Sequence, residues 1–222
     1  MRSINKQNQS VLGNKPRPLQ LWRKFFHVFN GSLGLWFYAY SGLSEWQALT
    51  ILACFAFGSL GFDVIRMRSP NINAWFTARF SFMMRREEEH KITSITWGLL
   101  CAWIMLVIFP RPVDILLILF VTYGDTIAGI IGPLFGKHKI NAHASIEGSL
   151  ALFILSALMT YFSFEHFNFD YEWSTIKIII FSLCAGLIAV VAEGAFPNLD
   201  DNATIPLVAA PLLWILFKVC SL

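Results

Sequence analysis

An aspartate stands where a lipid-facing sequence has least use for one. Asp125, within Gly124-Asp125-Thr126, falls inside the apolar run 113–131. Burying a carboxylate in a membrane segment is costly unless it meets a partner or a cation. Two readings follow, a structural bridge to an arginine on another helix or a working group. Gly132, Gly136-Lys137-His138-Lys139 and Ser145-Ile146-Glu147-Gly148-Ser149 come directly after it. Glycines let backbone N–H groups approach phosphate, and Lys137 and Lys139 add positive charge. Ser145 has the type of an N-cap, and the N–H groups exposed at the helix start it would open form an anion site. Glu147 near that start also suits the helix dipole. The loop is not a Walker A sequence, because its spacing differs and no Ser or Thr follows the lysine.

Other polar groups lie far away in sequence. Asp200-Asp201-Asn202 joins Asp125 and Glu147 as a set of oxygen donors suited to Mg²⁺, which takes a few carboxylates together with substrate phosphates. Asp201 or Asn202 serves equally well as a helix N-cap. Arg85-Arg86-Glu87-Glu88-Glu89-His90-Lys91 has the pattern of a solvated charge run. Arg23 and His27 share a helical face, and with Lys24 they read as a snorkelling cluster. Glu193 closes the inner end of another apolar run, where a lone acid is harder to dismiss.

The elements that must position these groups are apolar helices. The chain has 222 residues, 56% hydrophobic, 15% aromatic and 14% charged, with a formal net charge of +3. Its mean hydropathy of +0.58 excludes an ordinary soluble domain. Runs at 27–42, 46–62, 92–109, 113–131, 147–164, 176–193 and 204–220 predict about seven transmembrane helices, and 72–84 with Arg79 at its centre predicts an interfacial one. The fold class is therefore all-α, a polytopic integral membrane protein. Residues 1–22 read as a polar, disordered tail, and 23–222 as one transmembrane domain. Cys54, Cys101, Cys184 and Cys220 stand singly, which excludes zinc and disulfide frameworks.

With seven spans, the Lys and Arg clusters at 2–24, 66–91 and 137–139 all fall on one side, expected to be cytoplasmic. The N-terminus, Glu87 to Glu89, the loop 136–149 and Asp200 to Asn202 then share that face. Asp125 lies roughly 18 Å from Val113, in the inner half of the membrane below them. The pattern fits a bacterial inner membrane and an ER-type membrane equally.

Assembled, these residues resemble the CTP-dependent lipid-alcohol kinases, the dolichol kinase, phytol kinase and yeast-type diacylglycerol kinase group, distantly related to phosphatidate cytidylyltransferases. The resemblance rests on Arg23-Lys24-Phe25-Phe26-His27 with Asn30-Gly31, on Arg85 to Glu89 before Thr93-Ser94-Ile95-Thr96-Trp97, and on Gly124-Asp125-Thr126-Ile127-Ala128. It continues through Gly132, Gly136-Lys137, Ser145 to Ser149, Glu193 and Pro197 to Leu207. It implies transfer of a γ-phosphoryl group from CTP, or from another triphosphate such as ATP, to the hydroxyl of a membrane lipid alcohol, with Mg²⁺ and without nucleic acid. Asp125, Glu147 and Lys137 would be catalytic. Gly132, Gly136, Lys139, Ser145, Gly148, Ser149, Asn202 and Arg85 would bind nucleotide, and Asp125, Glu147 and Asp201 would hold the metal. Arg23, His27, Glu88, Glu193 and Asp200 would support the site. The group usually carries a lysine where this chain has Ala144; if that lysine contacts phosphate, Lys137, Lys139 or His143 must substitute, or nucleotide handling differs. The alternatives are a phosphatidate cytidylyltransferase, whose Lys-Arg and His-Gly-Gly elements are absent, and a proton- or cation-coupled transporter, whose paired broken helices are not seen.

Overall fold

The structure, a computed structural model, describes residues 21–82, 84, 86–140, 144–167, 169, 171–196 and 201–221, with only the backbone of Arg86, Glu87 and Asp201. The expected tail lies outside these residues except for Leu21 and Trp22, which already belong to the first helix. The elements are α1 (Leu21–Tyr40), α2 (Glu45–Arg68), α3 (Pro70–Phe80), a 3₁₀ turn (Arg86–His90) and α4 (Ser94–Ile108). Then come α5 (Arg111–Leu119), a π-helical turn (Phe120–Asp125), α6 (Thr126–Phe135), α7 (Ile146–His166), α8 (Thr175–Ala195) and α9 (Asp201–Cys220). Among the described residues there is no strand; Lys139 and Ser145 form a single isolated bridge across a loop.

Each of the seven apolar runs is helical, but not all have the form of a span. Among the described residues five helices are long and apolar enough to cross a membrane: Glu45–Arg68, Arg111–Phe135, Ile146–His166, Thr175–Ala195 and Asn202–Cys220. The expected seven are not reached by this measure. α4 has 15 residues, a rise of about 22 Å against a hydrocarbon core of about 30 Å. In α1 the polar Arg23, Lys24, His27 and Asn30 dilute an otherwise aromatic helix. α3 has 11 residues, too few to span. Its Arg79 guanidinium lies 4.9 Å from the Trp75 ring centroid, a pairing suited to a membrane interface.

The packing is that of a bundle made for lipid. α8 buries Phe181, Ser182, Ala185, Gly186, Ala189 and Ala192 while exposing Ile176, Ile180, Leu183, Leu187 and Val191. α7 likewise exposes Leu150, Ile154, Leu158 and Phe162. Small residues inside let backbones approach where no water drives association, and bulky ones face outward. A Cβ on Gly186 would lie 2.8 Å from the Phe153 carbonyl oxygen, so the α7–α8 crossing depends on its absence.

Cross-links fix two ends of the bundle. At one end, Tyr38 donates to Asp114 at 3.0 Å, Arg111 donates to the Ala39 carbonyl at 3.0 Å, and Tyr40 bonds His166. At the other, α1 meets α6, α6 meets α7, and Gly98 of α4 faces Asn202 of α9. Lys24, Glu147, Ser149, Glu193 and Asn202, singled out by sequence, lie on the helices joined at this second end.

Candidate functional site

Asp125 is the last residue of the π-helical turn. Such a turn widens the helix, frees carbonyls from the regular ladder and often marks a functional position. α1 grips this turn along one face. His27 Nε2 donates to the Val121 carbonyl at 3.0 Å, Ser32 and Tyr123 share a hydroxyl hydrogen bond of 2.7 Å, and Lys24 Nζ lies 3.5 Å from the Thr126 carbonyl. Gly31 completes that face, since any Cβ there would collide with Thr122. Positions 24, 27, 31 and 32 follow helical periodicity, so one stripe of α1 holds the turn. α7 closes the opposite side. A Cβ on Gly124 would lie 2.7 Å from Leu152 and 3.1 Å from the Ser156 hydroxyl.

Between these two walls Asp125 is half-buried. Among the described residues its carboxylate has no hydrogen-bond or ion-pair partner, so no described arginine bridges to it. Lys24, expected from the sequence to snorkel beside Arg23 and His27, instead reaches this turn. Its ammonium occupies the space over Gly129, where a Cβ would strike it. The lack of a side chain at position 129, one turn beyond Asp125, was the available signal.

The glycine-rich loop is a knot. Ser145 caps α7, its hydroxyl accepting from Gly148 N at 3.2 Å. A Cβ on Gly148 would lie 3.2 Å from both the Ala128 carbonyl and the Gly132 Cα. Gly136 packs against Ser145 and the Gly132 carbonyl in the same way. Glu147 accepts from His138 N and, at 2.8 Å, from His138 Nδ1, while Lys139 donates to the Gly132 carbonyl at 3.3 Å. Backbone N–H groups at Gly136, His138, Ile146, Gly148 and Ser149 are thus already bound within the knot. Lys137 is exposed and unpaired among the described residues.

Other predicted residues are distributed around this core. Ser149 donates to Glu193 at 3.3 Å, linking α7 to α8. Asn202 lies 3.5 Å from where a Cβ on Gly98 would sit. Arg23 is half-buried beside Lys24. Arg85, Asp200, the Asp201 side chain and His143 lie outside the described residues. Among those described, no three His, Cys, Asp or Glu side chains converge as a metal cluster.

Glu88 departs from the solvated-run expectation. It is 8% exposed and accepts from Ser94 Oγ at 2.6 Å. Its backbone joins a network the sequence reading did not foresee. Arg66, fully buried, pairs with Asp63 at 2.6 Å and donates to Asn73 and to the carbonyls of Glu88, Glu89 and Lys91. Asp63 in turn accepts from Thr93 N, Thr93 Oγ1 and Thr96 Oγ1. The i,i+3 spacing of Asp63 and Arg66 at the end of an apolar helix was the signal.

The fold and site together define a multi-helix membrane protein with a carboxylate, unpaired among the described residues, on a distorted helix flanked by lysine and a glycine-rich loop. No family model matches the chain, and no solved structure matches it. Curated relatives do. The CTP-dependent diacylglycerol kinase 1 of Eremothecium gossypii is 27% identical across 93% of this chain and 70% of its own length. Its namesake in Schizosaccharomyces pombe is 29% identical across 69% of this chain and 74% of its own. A probable chloroplastic phytol kinase of Triticum aestivum is 31% identical, across 51% of this chain and 41% of that protein. The chain is similar to proteins named as CTP-dependent lipid kinases, the group its motifs resemble.

Proposed function

We propose that this protein is a membrane lipid kinase that transfers the γ-phosphoryl group of CTP to the hydroxyl of a lipid alcohol of the diacylglycerol or phytol type. The observation that carries the reading is Asp125. It is a carboxylate without a partner among the described residues, held between α1 and α7 in a chain whose relatives bear those names.

Phosphoryl transfer asks a protein mainly for positioning and charge neutralisation. The lipid hydroxyl attacks the γ-phosphorus, its oxygen–phosphorus bond forming as the bond to the β–γ bridging oxygen breaks. Asp125 accepts the hydroxyl proton at the depth where a lipid headgroup meets the bundle. Lys24, with Arg23 beside it, faces the charge that spreads over the phosphoryl oxygens, and Lys137 meets the triphosphate from the exposed side of the loop. His27 holds the π turn, while the Gly132–Gly148 crossing and the His138–Glu147 pair keep the loop beside it. Asn202 and Glu193 border the same end of the bundle. The charged clusters at this end support a cytosolic face by the positive-inside rule. The Asp125 oxygens, unpaired among the described residues, fit Mg²⁺, which would neutralise phosphate charge when bound.

The direct test is purified protein in lipid nanodiscs with γ-labelled CTP or ATP and a panel of diacylglycerol, phytol and polyprenol. Label entering one lipid alcohol, and more from CTP than from ATP, is the expected result. If no lipid is labelled, or if CMP rather than phosphate is transferred, the reading fails.

A further inference from the structure

A cavity lies away from Asp125, between α2, α3 and α4. It has a volume of about 260 Å³ and is walled by Phe62, Phe76, Phe80, Met84 and Ile95, with Asp63 and Glu88 on its polar side. The polar groups there are unequal. All five Arg66 donors are engaged, and both Asp63 oxygens are taken by Arg66 and three donors from α4 and its cap. Those two charges cancel. Glu88 differs, because Ser94 bonds only Oε1 and no described cation touches the carboxylate, although the residue is 92% buried by the 8% exposure of its surface. One carboxylate oxygen of Glu88 therefore has unused acceptor capacity, and the residue lines a cavity whose other walls are apolar and aromatic.

We propose that this cavity binds the neutral, hydroxyl-bearing headgroup of a membrane lipid, Glu88 Oε2 accepting the hydroxyl hydrogen bond. A buried carboxylate gains from a hydroxyl donor without a second charge having to be desolvated. The size agrees, since the space equals about eight or nine waters at roughly 30 Å³ each, enough for a glycerol-sized group and the first carbons attached to it. α3, with its Trp75–Arg79 pair, brings the cavity to interfacial depth. The site takes part in no bond-making step, and the proposal does not rest on the kinase reading.

The test is photolabelling of the full chain in phosphatidylcholine nanodiscs with a diazirine-bearing diacylglycerol at low mole fraction, followed by peptide mapping. Adducts are expected on the segments carrying Phe76, Phe80 and Ile95, and unlabelled diacylglycerol should compete them away. Glu88→Ala should weaken that labelling about tenfold, the loss of one hydrogen bond to a charged acceptor. Asp125→Asn should leave it unchanged, which separates this outcome from failure of the kinase reading. If Glu88→Ala does not fold, Ile95→Trp fills the cavity instead and should abolish the same adducts. Labelling that ignores both variants, or that a phosphatidylethanolamine or phosphatidylcholine probe reproduces, overturns the proposal.

Discussion

The ammonium of Lys24 lies over Gly129, one helical turn beyond Asp125, and 3.5 Å from the Thr126 carbonyl. A lysine from the start of the chain and a carboxylate from its middle are thereby brought to one place, and the glycine is the gap that admits the lysine. Gly129→Val should push the Lys24 side chain aside at little cost in stability, because the added carbons meet only the flexible end of a side chain. Misplacing a positioning charge by about 1 Å costs on the order of 10²-fold in rate. Steady-state phosphorylation alongside a melting curve checks this; unchanged turnover would remove Lys24 from the site.

Asp125→Asn should separate activity from stability. No described group pairs with the carboxylate, so removing its charge breaks no bridge and relieves desolvation. Melting temperature in detergent should hold or rise, while turnover falls by about 10²–10⁴-fold, the usual contribution of a positioned proton acceptor. A large fall in melting temperature would return Asp125 to a structural role.

Arg66→Met should do the opposite. It strands the buried Asp63 carboxylate and unties the carbonyls of Glu88, Glu89 and Lys91. Breaking one side of a buried pair costs about 3–5 kcal/mol, measured as reduced stability in a mild-detergent denaturation series. The double variant Asp63→Leu with Arg66→Met should recover part of that loss.

Gly148→Leu should part α6 from α7, since even a Cβ would press to 3.2 Å on the Ala128 carbonyl and Gly132 Cα. Overpacking of this kind costs about 1–3 kcal/mol. Thermal unfolding reports the loss, and protease cleavage in the loop 136–145 should rise with it.

Chelation gives the remaining check. EDTA should abolish phosphorylation of the lipid, and Mg²⁺ should restore it without altering the melting curve. Activity persisting through exhaustive chelation would leave Asp125 as a proton acceptor only.

Much of this was legible in residue order. Asp125 stands out because an acid in an apolar run has few excuses, and Ser145 announces the start of α7 by its type and its distance from Gly148. The relatives' printed name, CTP-dependent diacylglycerol kinase 1, falls in the group that the motifs resemble. Glu88 was not legible: a run of charges reads as solvated until the neighbouring helices are seen to fold over it. Nor was the fate of the glycine-rich loop, since a glycine that admits phosphate and one that admits a neighbouring helix look the same in sequence.

By itself the sequence determined that the chain is helical and apolar, and which groups carry chemistry, because hydropathy and residue type are local properties. Tertiary structure alone decided that α1 lays Lys24, His27 and Ser32 along a π-helical turn, and that Asp125 at its end is left unpaired among the described residues. It also decided that Arg66 draws α2, α3 and α4 around a cavity. The physical reason is that hydrogen bonds and close helix crossings are contacts between residues as much as a hundred positions apart. Whether a buried charge is neutralised or left available depends on which of those contacts the packing permits.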